Sequence, residues 1–233
     1  MLFKKRKAKP NTNKKSLITM LSPKSPVSEQ YRTVRTNIQF SAVDKELRSI
    51  LVTSSGPGEG KSTTVSNLAV VFANQGKKVL LVDSDLRKPT AHYTFDVSNM
   101  NGLTNVLTKS SSLEDAVSPT KEPNLYVLAS GPIPPNPAEL LGSKAMDEFI
   151  QDAYKVYDVI LFDTPPILAV ADAQILSNHG DGTILVVYSG ETEMEAAGKA
   201  KELLQASKSK LLGAVLNHKK LQDSQYYYYY GGK

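Results

Sequence analysis

One stretch of the chain decides the fold class, and its sequence is Ser54-Ser55-Gly56-Pro57-Gly58-Glu59-Gly60-Lys61-Ser62-Thr63. It follows an apolar run typical of a strand (residues 50–52) and precedes a helical stretch. Glycines at such a turn let backbone N–H groups surround phosphate oxygens, and the N-terminus of the helix adds a favourable partial charge. Ser55 replaces the first glycine of the common pattern, and a small residue is compatible with that turn. The stretch therefore predicts a phosphate-binding Walker A loop.

The side chains of this loop have distinct expected roles. Lys61 can reach the β- and γ-phosphates of ATP, and the hydroxyl of Ser62 can ligate Mg²⁺. We therefore expect ATP and Mg²⁺ as cofactors. The residues predicted to bind ATP here are Gly56, Pro57, Gly58, Glu59, Gly60, Lys61, Ser62 and Thr63.

Apolar runs on both sides of the loop predict the rest of the fold. Strands are expected at 49–53, 78–82, 125–128, 159–162, 183–188 and 211–216, and helices near 61–75, 142–154 and 192–206. Most of the strands are continuously apolar, as in sheets that are buried on both faces. This alternation predicts an α/β fold with a doubly wound, mostly parallel sheet. Prolines make residues 131–137 a fixed loop.

Two predicted strands end in carboxylates. Asp83 and Asp85 follow one strand, and Asp163 follows another in a Walker B pattern. Doubly wound sheets bind ligands at the carboxyl ends of their strands. Alone, an Asp-x-Asp pair is more often a turn or a helix cap, but the nearby Walker A loop favours a catalytic interpretation.

We predict Lys61, Asp83, Asp85 and Asp163 as catalytic residues. Asp83 and Asp163 would serve Mg²⁺ with Ser62, and Asp85 would accept the proton of an attacking hydroxyl group. The alternative is that Asp85 is itself a metal contact. Two further candidates for the ATP site are Arg87, as a phosphate contact, and Asn217, as a residue that recognises adenine.

Composition excludes several kinds of site. There is no cysteine, so neither a disulfide framework nor a thiolate metal site is expected. The three histidines lie far apart in sequence, unlike the ligands of a zinc site. The net charge of +5 is concentrated at the N-terminus, because residues 1–27 contain eight basic residues and no acidic one, which leaves 5 − 8 = −3 for the remainder. A broad nucleic-acid-binding face on the folded part is therefore not expected.

Residues 1–27 are predicted to form a disordered basic tail. Two interpretations stay open: a solvated tail, or a weak contact with anionic membranes. No apolar run approaches the ~20 residues that cross a bilayer, and a signal peptide is not apparent. We expect a soluble, cytoplasmic protein, unless something recruits it to a membrane.

A folded domain is predicted over 28–218, opening with a helix at 28–41 that Ser28 caps. Glu29, Arg32 and Arg35 lie on this helix. From their spacing alone, a Glu29–Arg32 pair within the helix is the simpler explanation.

The segment 219–233 is predicted to be a flexible tail that carries Tyr226, Tyr227, Tyr228, Tyr229 and Tyr230. Five adjacent aromatic residues cannot all face one core, because the side chains of a strand alternate. A base-stacking or aggregation-prone segment is one interpretation.

Taken together, the stretches 55–63, 80–89 and 160–166 resemble the bacterial tyrosine kinases (BY-kinases), in the split form found in Firmicutes. The loop 131–141 is also similar, and the resemblance extends from about residue 26 to the C-terminus. It implies a P-loop fold of the deviant Walker (MinD/ParA-like) type and ATP-dependent phosphorylation of protein tyrosines. It also implies a role in capsular or extracellular polysaccharide synthesis.

The resemblance further implies a homo-oligomer, with a ring as one form, that Glu29, Arg32 and Arg35 hold together. It implies autophosphorylation of Tyr226–Tyr230 between neighbouring subunits. A membrane-anchored protein would supply an activating cytoplasmic tail. Other substrates would be proteins phosphorylated on tyrosine.

The alternative function is a switch ATPase of the MinD/ParA type without kinase activity. Such proteins usually carry a signature lysine at the start of the loop, where this chain has Ser54-Ser55-Gly56. A cluster of tyrosines at the C-terminus is also foreign to them. The sequence therefore favours the kinase.

Overall fold

A parallel sheet organises residues 17–41 and 46–219, which are the residues that the computed structural model describes. Its strands are β1 (Ser49–Ser54), β2 (Val79–Asp83), β3 (Val117–Pro119), β4 (Leu125–Leu128), β5 (Val159–Asp163), β6 (Gly182–Tyr188) and β7 (Lys210–Asn217). Their spatial order is β3-β4-β2-β5-β1-β6-β7. All neighbours are parallel except β3 and β4. The predicted α/β sheet is confirmed, and each of the six predicted strands agrees within one residue at either end.

Helices cover both faces of this sheet. They are α1 (Ile18–Leu21), α2 (Pro26–Phe40), α3 (Lys61–Ala73), α4 (Ala91–Phe95), α5 (Leu103–Leu107), α6 (Leu113–Ala116), α7 (Pro137–Leu141), α8 (Lys144–Tyr154), α9 (Asp172–Ser177) and α10 (Met194–Gln205). The three long predicted helices correspond to α3, α8 and α10, while the short elements and β3 were missed. Residues 131–136 form the predicted loop, and Pro137 is the first residue of α7.

Alternate residues of the central strands enter two separate cores. Val52 and Leu81 pack with α2 and α3 on one face, whereas Leu51 and Leu80 pack with α5 and α8 on the other. A strand buried on both faces has to be apolar at every position, which explains the continuous apolar runs. The doubly wound arrangement brings the carboxyl ends of β1, β2 and β5 to one edge.

The N-terminal prediction needs correction, because residues 17–27 are folded. Leu17 is buried in the core beside α3. The backbone N and the hydroxyl of Thr19 both donate to Oδ1 of Asn67, at 3.1 and 2.8 Å. Basic composition and prolines suggested a tail throughout, but a partner 48 residues away fixes this segment.

The start of α2 also differs from the prediction. Ser25, not Ser28, caps the helix: its Oγ accepts from the backbone N of Ser28 at 3.1 Å, and Pro26 is the first helical residue. The hydroxyl of Ser28 is buried and donates to the carbonyl of Ser22 at 2.8 Å.

Some predictions fall outside the described residues. These are the tail at 1–16 and, apart from residue 219, the flexible tail at 219–233 with its tyrosine cluster Tyr226–Tyr230. Within 17–41 and 46–219, none of the helices combines the length and the apolar character that crossing a bilayer requires.

Candidate active site

The phosphate loop connects β1 to α3, as predicted. Gly58 and Gly60 have φ angles of 83° and 93°, a conformation that side chains with a Cβ rarely adopt. At Gly60 a Cβ would also lie 1.9 Å from Nδ2 of Asn217. The backbone therefore requires glycine at position 60, and the side chain of Asn217 occupies the space that a Cβ would take.

Lys61 is the point where the predicted catalytic residues meet. Its Nζ lies 3.1 Å from Oδ2 of Asp85, 3.2 Å from Oδ1 of Asp163 and 3.2 Å from Oγ of Ser62. Burial acts to lower the pKa of Lys61, but the carboxylates of Asp163 and Asp85 outweigh it, so the pKa is raised. Lys61 is thus a charged ammonium group in a buried site, as phosphate binding requires.

Asp83 has a different environment from Asp85. It faces Asp163 in the pairing of β2 with β5, and its Oδ2 accepts from the backbone N of Thr90 and of Ala91, both at 2.8 Å. Its Oδ1 is buried without a hydrogen-bond partner. Burial first, and then the charge of Asp163, raise the pKa of Asp83 to about 7.

The site fits a magnesium ion that is bound together with nucleotide. In the described part of the chain, no three acidic, histidine or cysteine side chains could enclose a metal by themselves. Mg²⁺ at phosphate-transfer sites usually takes one or two carboxylates, water and substrate phosphates. Two oxygens beside the loop, Oδ1 of Asp83 and Oγ of Ser84, are buried and have no hydrogen-bond partner. Ser62, Asp83 and Asp163 are therefore suitable groups to hold the ion or its waters.

Arg87 lies in the turn after β2, where it pairs with a residue that the sequence analysis missed. Its Nε and Nη2 donate to the two carboxylate oxygens of Asp172 at 2.9 and 3.0 Å. Asp172 is fully buried at the start of α9, so its charge needs this partner. The pair connects the loop after β2 to the segment after β5. The phosphate contact proposed for Arg87 stays a prediction.

Asn217 lies against the phosphate loop, at the end of β7. Its Nδ2 donates to the carbonyl oxygen of Glu59 at 2.9 Å. The next residue, His218, stacks on Tyr188 with ring centroids 4.2 Å apart. These contacts place Asn217 beside the nucleotide loop, while its recognition of adenine stays a prediction.

Thr192 is a second residue that the sequence analysis missed. Its hydroxyl donates to Oε1 of Glu59 at 2.8 Å and accepts from the backbone N of Tyr188 at 2.7 Å. Glu59 and Thr192 are 133 residues apart, and no local pattern marks Thr192. Only the parallel pairing of β1 with β6 brings them together.

The predicted interface residues on α2 make contacts within the chain. Glu29 and Arg32 form an ion pair in which their side chains are 62% and 31% exposed. Arg32 also donates to the carbonyl of Pro23. Arg35 donates to the carbonyl of Val71 at 2.9 Å, which joins α2 to the end of α3. The pair within the helix is therefore present, and the intersubunit contact stays a prediction.

Known proteins are similar to this chain in sequence. A family model described as "AAA domain" matches residues 47–210. "Tyrosine-protein kinase YwqD" of Bacillus subtilis (strain 168) is 60% identical over 228 residues, which cover 98% of this chain and 96% of that protein. The chain is thus similar to a protein named as a tyrosine kinase over nearly the whole length of both proteins.

Two solved structures are similar to this fold. The "chimerical protein CapA2B2" has a TM-score of 0.85 and 43% identity, covering 89% of this chain and 92% of that one. The septum site-determining protein MinD of Pyrococcus horikoshii, complexed with Mg-ADP, has a TM-score of 0.62 and 30% identity over 72% of this chain and 69% of its own. The similarity to MinD confirms the predicted P-loop fold type. The match to YwqD covers more of this chain, 98% against 72% for MinD. The chain belongs to the bacterial tyrosine-kinase family.

Proposed function

We propose that the chain transfers the γ-phosphoryl group of ATP to tyrosine hydroxyls, first on its own C-terminal cluster and then on other proteins. The observation that carries this proposal is the meeting of Lys61 with Asp85 and Asp163, within 3.2 Å, where the phosphate loop opens into α3. A cation at a phosphate loop and carboxylates at two strand ends are the groups that phosphoryl transfer uses.

Each residue has a separate proposed task. Backbone N–H groups of residues 56–62 and the ammonium of Lys61 bind phosphate oxygens. Lys61 exchanges its contacts with Asp85 and Asp163 for phosphate contacts, which leaves the Asp85 carboxylate available to a tyrosine hydroxyl. An unperturbed tyrosine has a pKa near 10, so a nearby base assists its attack.

Ser62, Asp83 and Asp163 are the proposed groups for Mg²⁺. When bound with ATP, the ion would neutralise charge on the phosphate oxygens. Asp83 suits this position because one of its oxygens is fixed by two backbone N–H groups and the other has no partner. Arg87 and Asn217 complete the proposed nucleotide site from the turn after β2 and the end of β7.

Family membership supports the remaining parts of the proposal. The tyrosines Tyr226–Tyr230 are the proposed autophosphorylation sites, modified by a neighbouring subunit of a homo-oligomer. A membrane-anchored activator would recruit the chain to the inner face of the membrane through its cytoplasmic tail. The proposed cellular role is regulation of capsular or extracellular polysaccharide synthesis.

The switch ATPase of the MinD type is the second candidate. The similarity of the fold supports it, but the phosphate loop has no lysine at its start, where Ser54 and Ser55 stand. It predicts nucleotide hydrolysis without tyrosine phosphorylation, so the two candidates differ in a measurable product.

Mass spectrometry of residues 219–233 after incubation with Mg-ATP tests the proposal. The purified chain would be compared with and without the cytoplasmic tail of its candidate membrane partner. We expect phosphate on Tyr226–Tyr230, stimulated by the partner, and none in Lys61→Met. Lys208→Met makes the same change at an exposed lysine and should retain phosphorylation.

The opposite result is equally specific. An unmodified tyrosine cluster in the presence of the partner, together with ATP hydrolysis that Lys61→Met abolishes, would assign the chain to the switch ATPases.

A further inference from the structure

The phosphate loop contains a carboxylate whose placement calls for a physical explanation. Glu59 is only 8% exposed, yet no lysine or arginine within residues 17–41 and 46–219 forms an ion pair with it. A negative charge next to a bound polyphosphate is repulsive, and burial strengthens that repulsion because little water screens it. Nucleotide binding therefore depends on where this carboxylate is held.

Two hydrogen bonds fix the carboxylate of Glu59. Its Oε2 accepts from the backbone N of Ser55 at 2.9 Å, inside the loop. Its Oε1 accepts from the hydroxyl of Thr192 at 2.8 Å, outside the loop. The second bond is the only one of the two that a side chain supplies, so substitution can remove it.

The hydroxyl of Thr192 is itself oriented. Its oxygen accepts from the backbone N of Tyr188 at 2.7 Å, so its own proton is directed to Glu59. Such a chain of donors polarises the hydroxyl and strengthens its bond to a charged acceptor. From β7, the strand next to β6, Nδ2 of Asn217 donates to the backbone carbonyl oxygen of Glu59 at 2.9 Å. Both the side chain and the backbone of Glu59 are thus fastened to the β6–β7 side of the sheet.

We propose that Thr192 is a positioning residue for nucleotide binding, which holds the negative charge of Glu59 on the β6–α10 loop so that the phosphate loop can accept a polyphosphate. This inference rests on the nucleotide-binding part of the proposed function. It does not depend on tyrosine being the phosphate acceptor.

Calorimetric titration with MgADP tests the proposal in the full chain. Thr192→Val keeps the shape of the side chain but removes the donor, so Oε1 of Glu59 loses its partner outside the loop. Because hydrogen bonds to charged groups are strong, we expect MgADP to bind roughly tenfold more weakly or worse. Thr192→Ser retains the hydroxyl, so its affinity for MgADP should stay within about twofold of that of the wild type.

A double-mutant cycle separates the charge of Glu59 from local packing. On a Glu59→Gln background there is no carboxylate to hold. Adding Thr192→Val to that background should therefore change the affinity for MgADP by less than about twofold.

Kinetics provide a readout that a purely structural role would not give. For Thr192→Val we expect a raised KM for ATP with kcat at saturating ATP nearly unchanged, since only binding is affected. If this variant does not fold, Thr192→Ala removes the same hydroxyl with less bulk and takes its place.

Two results would overturn the inference. One is an MgADP affinity of Thr192→Val equal to that of Thr192→Ser. The other is an equal loss of affinity on the wild-type background and on the Glu59→Gln background, which would show that the hydroxyl acts on packing rather than on charge. Failure of the wild type to bind MgADP would instead contradict the proposed function itself.

Discussion

Asp83, one of the groups proposed to hold Mg²⁺, shows how a buried carboxylate lowers the stability of the fold. Its pKa is raised to about 7 from an ordinary value of 3.8. Between these two pH values the folded state holds a proton that the unfolded state has released. The free energy of unfolding therefore falls as pH rises through this window, and the loss is complete above pH about 7.

Asp83→Asn should remove this penalty in protein free of nucleotide and Mg²⁺. An asparagine oxygen can still accept from the backbone N of Thr90 and Ala91, and its NH₂ group replaces the oxygen that has no partner. We expect the stability gain over the wild type to grow from pH 5 to pH 8, reaching on the order of 1–4 kcal/mol. Thermal melts of both proteins from pH 5 to pH 8 measure this gain. The same variant should lose kinase activity.

The exposed Asp152 on α8 supplies the control for this pH dependence. Asp152→Asn should melt in parallel with the wild type at every pH. A stability gain for Asp83→Asn that does not vary with pH would contradict the raised pKa.

The strands and the phosphate loop could be predicted from the sequence, because interactions close in the chain determine them. The strands around Val52, Leu81 and Leu161 are apolar at every position because both faces are buried, and this is visible in the sequence. The glycines of the phosphate loop are likewise required by the backbone itself. Hence the sheet and the positions of Lys61, Asp85 and Asp163 followed from the sequence.

The missed elements depend on partners distant in sequence. The helix α1 has four residues, too few for a periodic pattern, and it is fixed by Asn67 on α3. Asp172 and Thr192 are ordinary polar residues until the fold brings Arg87 and Glu59 to them. Composition around residues 1–27 indicated disorder, and nothing local opposed that interpretation for 17–27.

Asn67→Ala should release α1 from α3. Asn67 is fully buried, and its Oδ1 accepts both the backbone N and the hydroxyl of Thr19, which would lose their acceptor. We expect a loss of about 2–4 kcal/mol, because two buried donors are left unsatisfied. Hydrogen exchange should show faster exchange at residues 18–21 than in the wild type.

The exposed Asn74 at the end of α3 provides a matched substitution. Asn74→Ala should change stability by less than about 0.5 kcal/mol, as surface substitutions usually do. If exchange at residues 18–21 were the same in Asn67→Ala as in the wild type, Asn67 would not be the anchor of α1.

Assembly is the question at the scale of the whole molecule, and α2 is where it can be tested. Glu29 and Arg32 pair with each other, yet the side chains keep 62% and 31% of their surface exposed. An exposed pair within one helix adds only a few tenths of a kcal/mol. Arg35 is less suitable for a test, since its bond to the carbonyl of Val71 joins α2 to α3 and its loss would also affect the fold.

A charge swap separates the two roles of the pair. Glu29→Arg with Arg32→Glu keeps opposite charges at the same two positions, so the pair within the helix can re-form. The same swap reverses both charges toward a neighbouring subunit, which a complementary interface would not tolerate. We expect sedimentation to show oligomers for the wild type and a shift toward monomer for the swap. The melting temperature of the monomer should fall only slightly, because glutamate at position 32 cannot donate to the exposed carbonyl of Pro23.

The pair formed by Glu195 and Lys199 on α10 gives the matched control, because it is also exposed and lies within one helix. Swapping Glu195→Lys with Lys199→Glu should leave the sedimenting mass unaltered. A wild-type mass retained by the swap on α2 would restrict Glu29 and Arg32 to stabilising their own helix. Phosphorylation of Tyr226–Tyr230 measured in the same samples extends the test: it should fall with the oligomer if neighbouring subunits phosphorylate one another, and stay constant if each subunit modifies its own cluster.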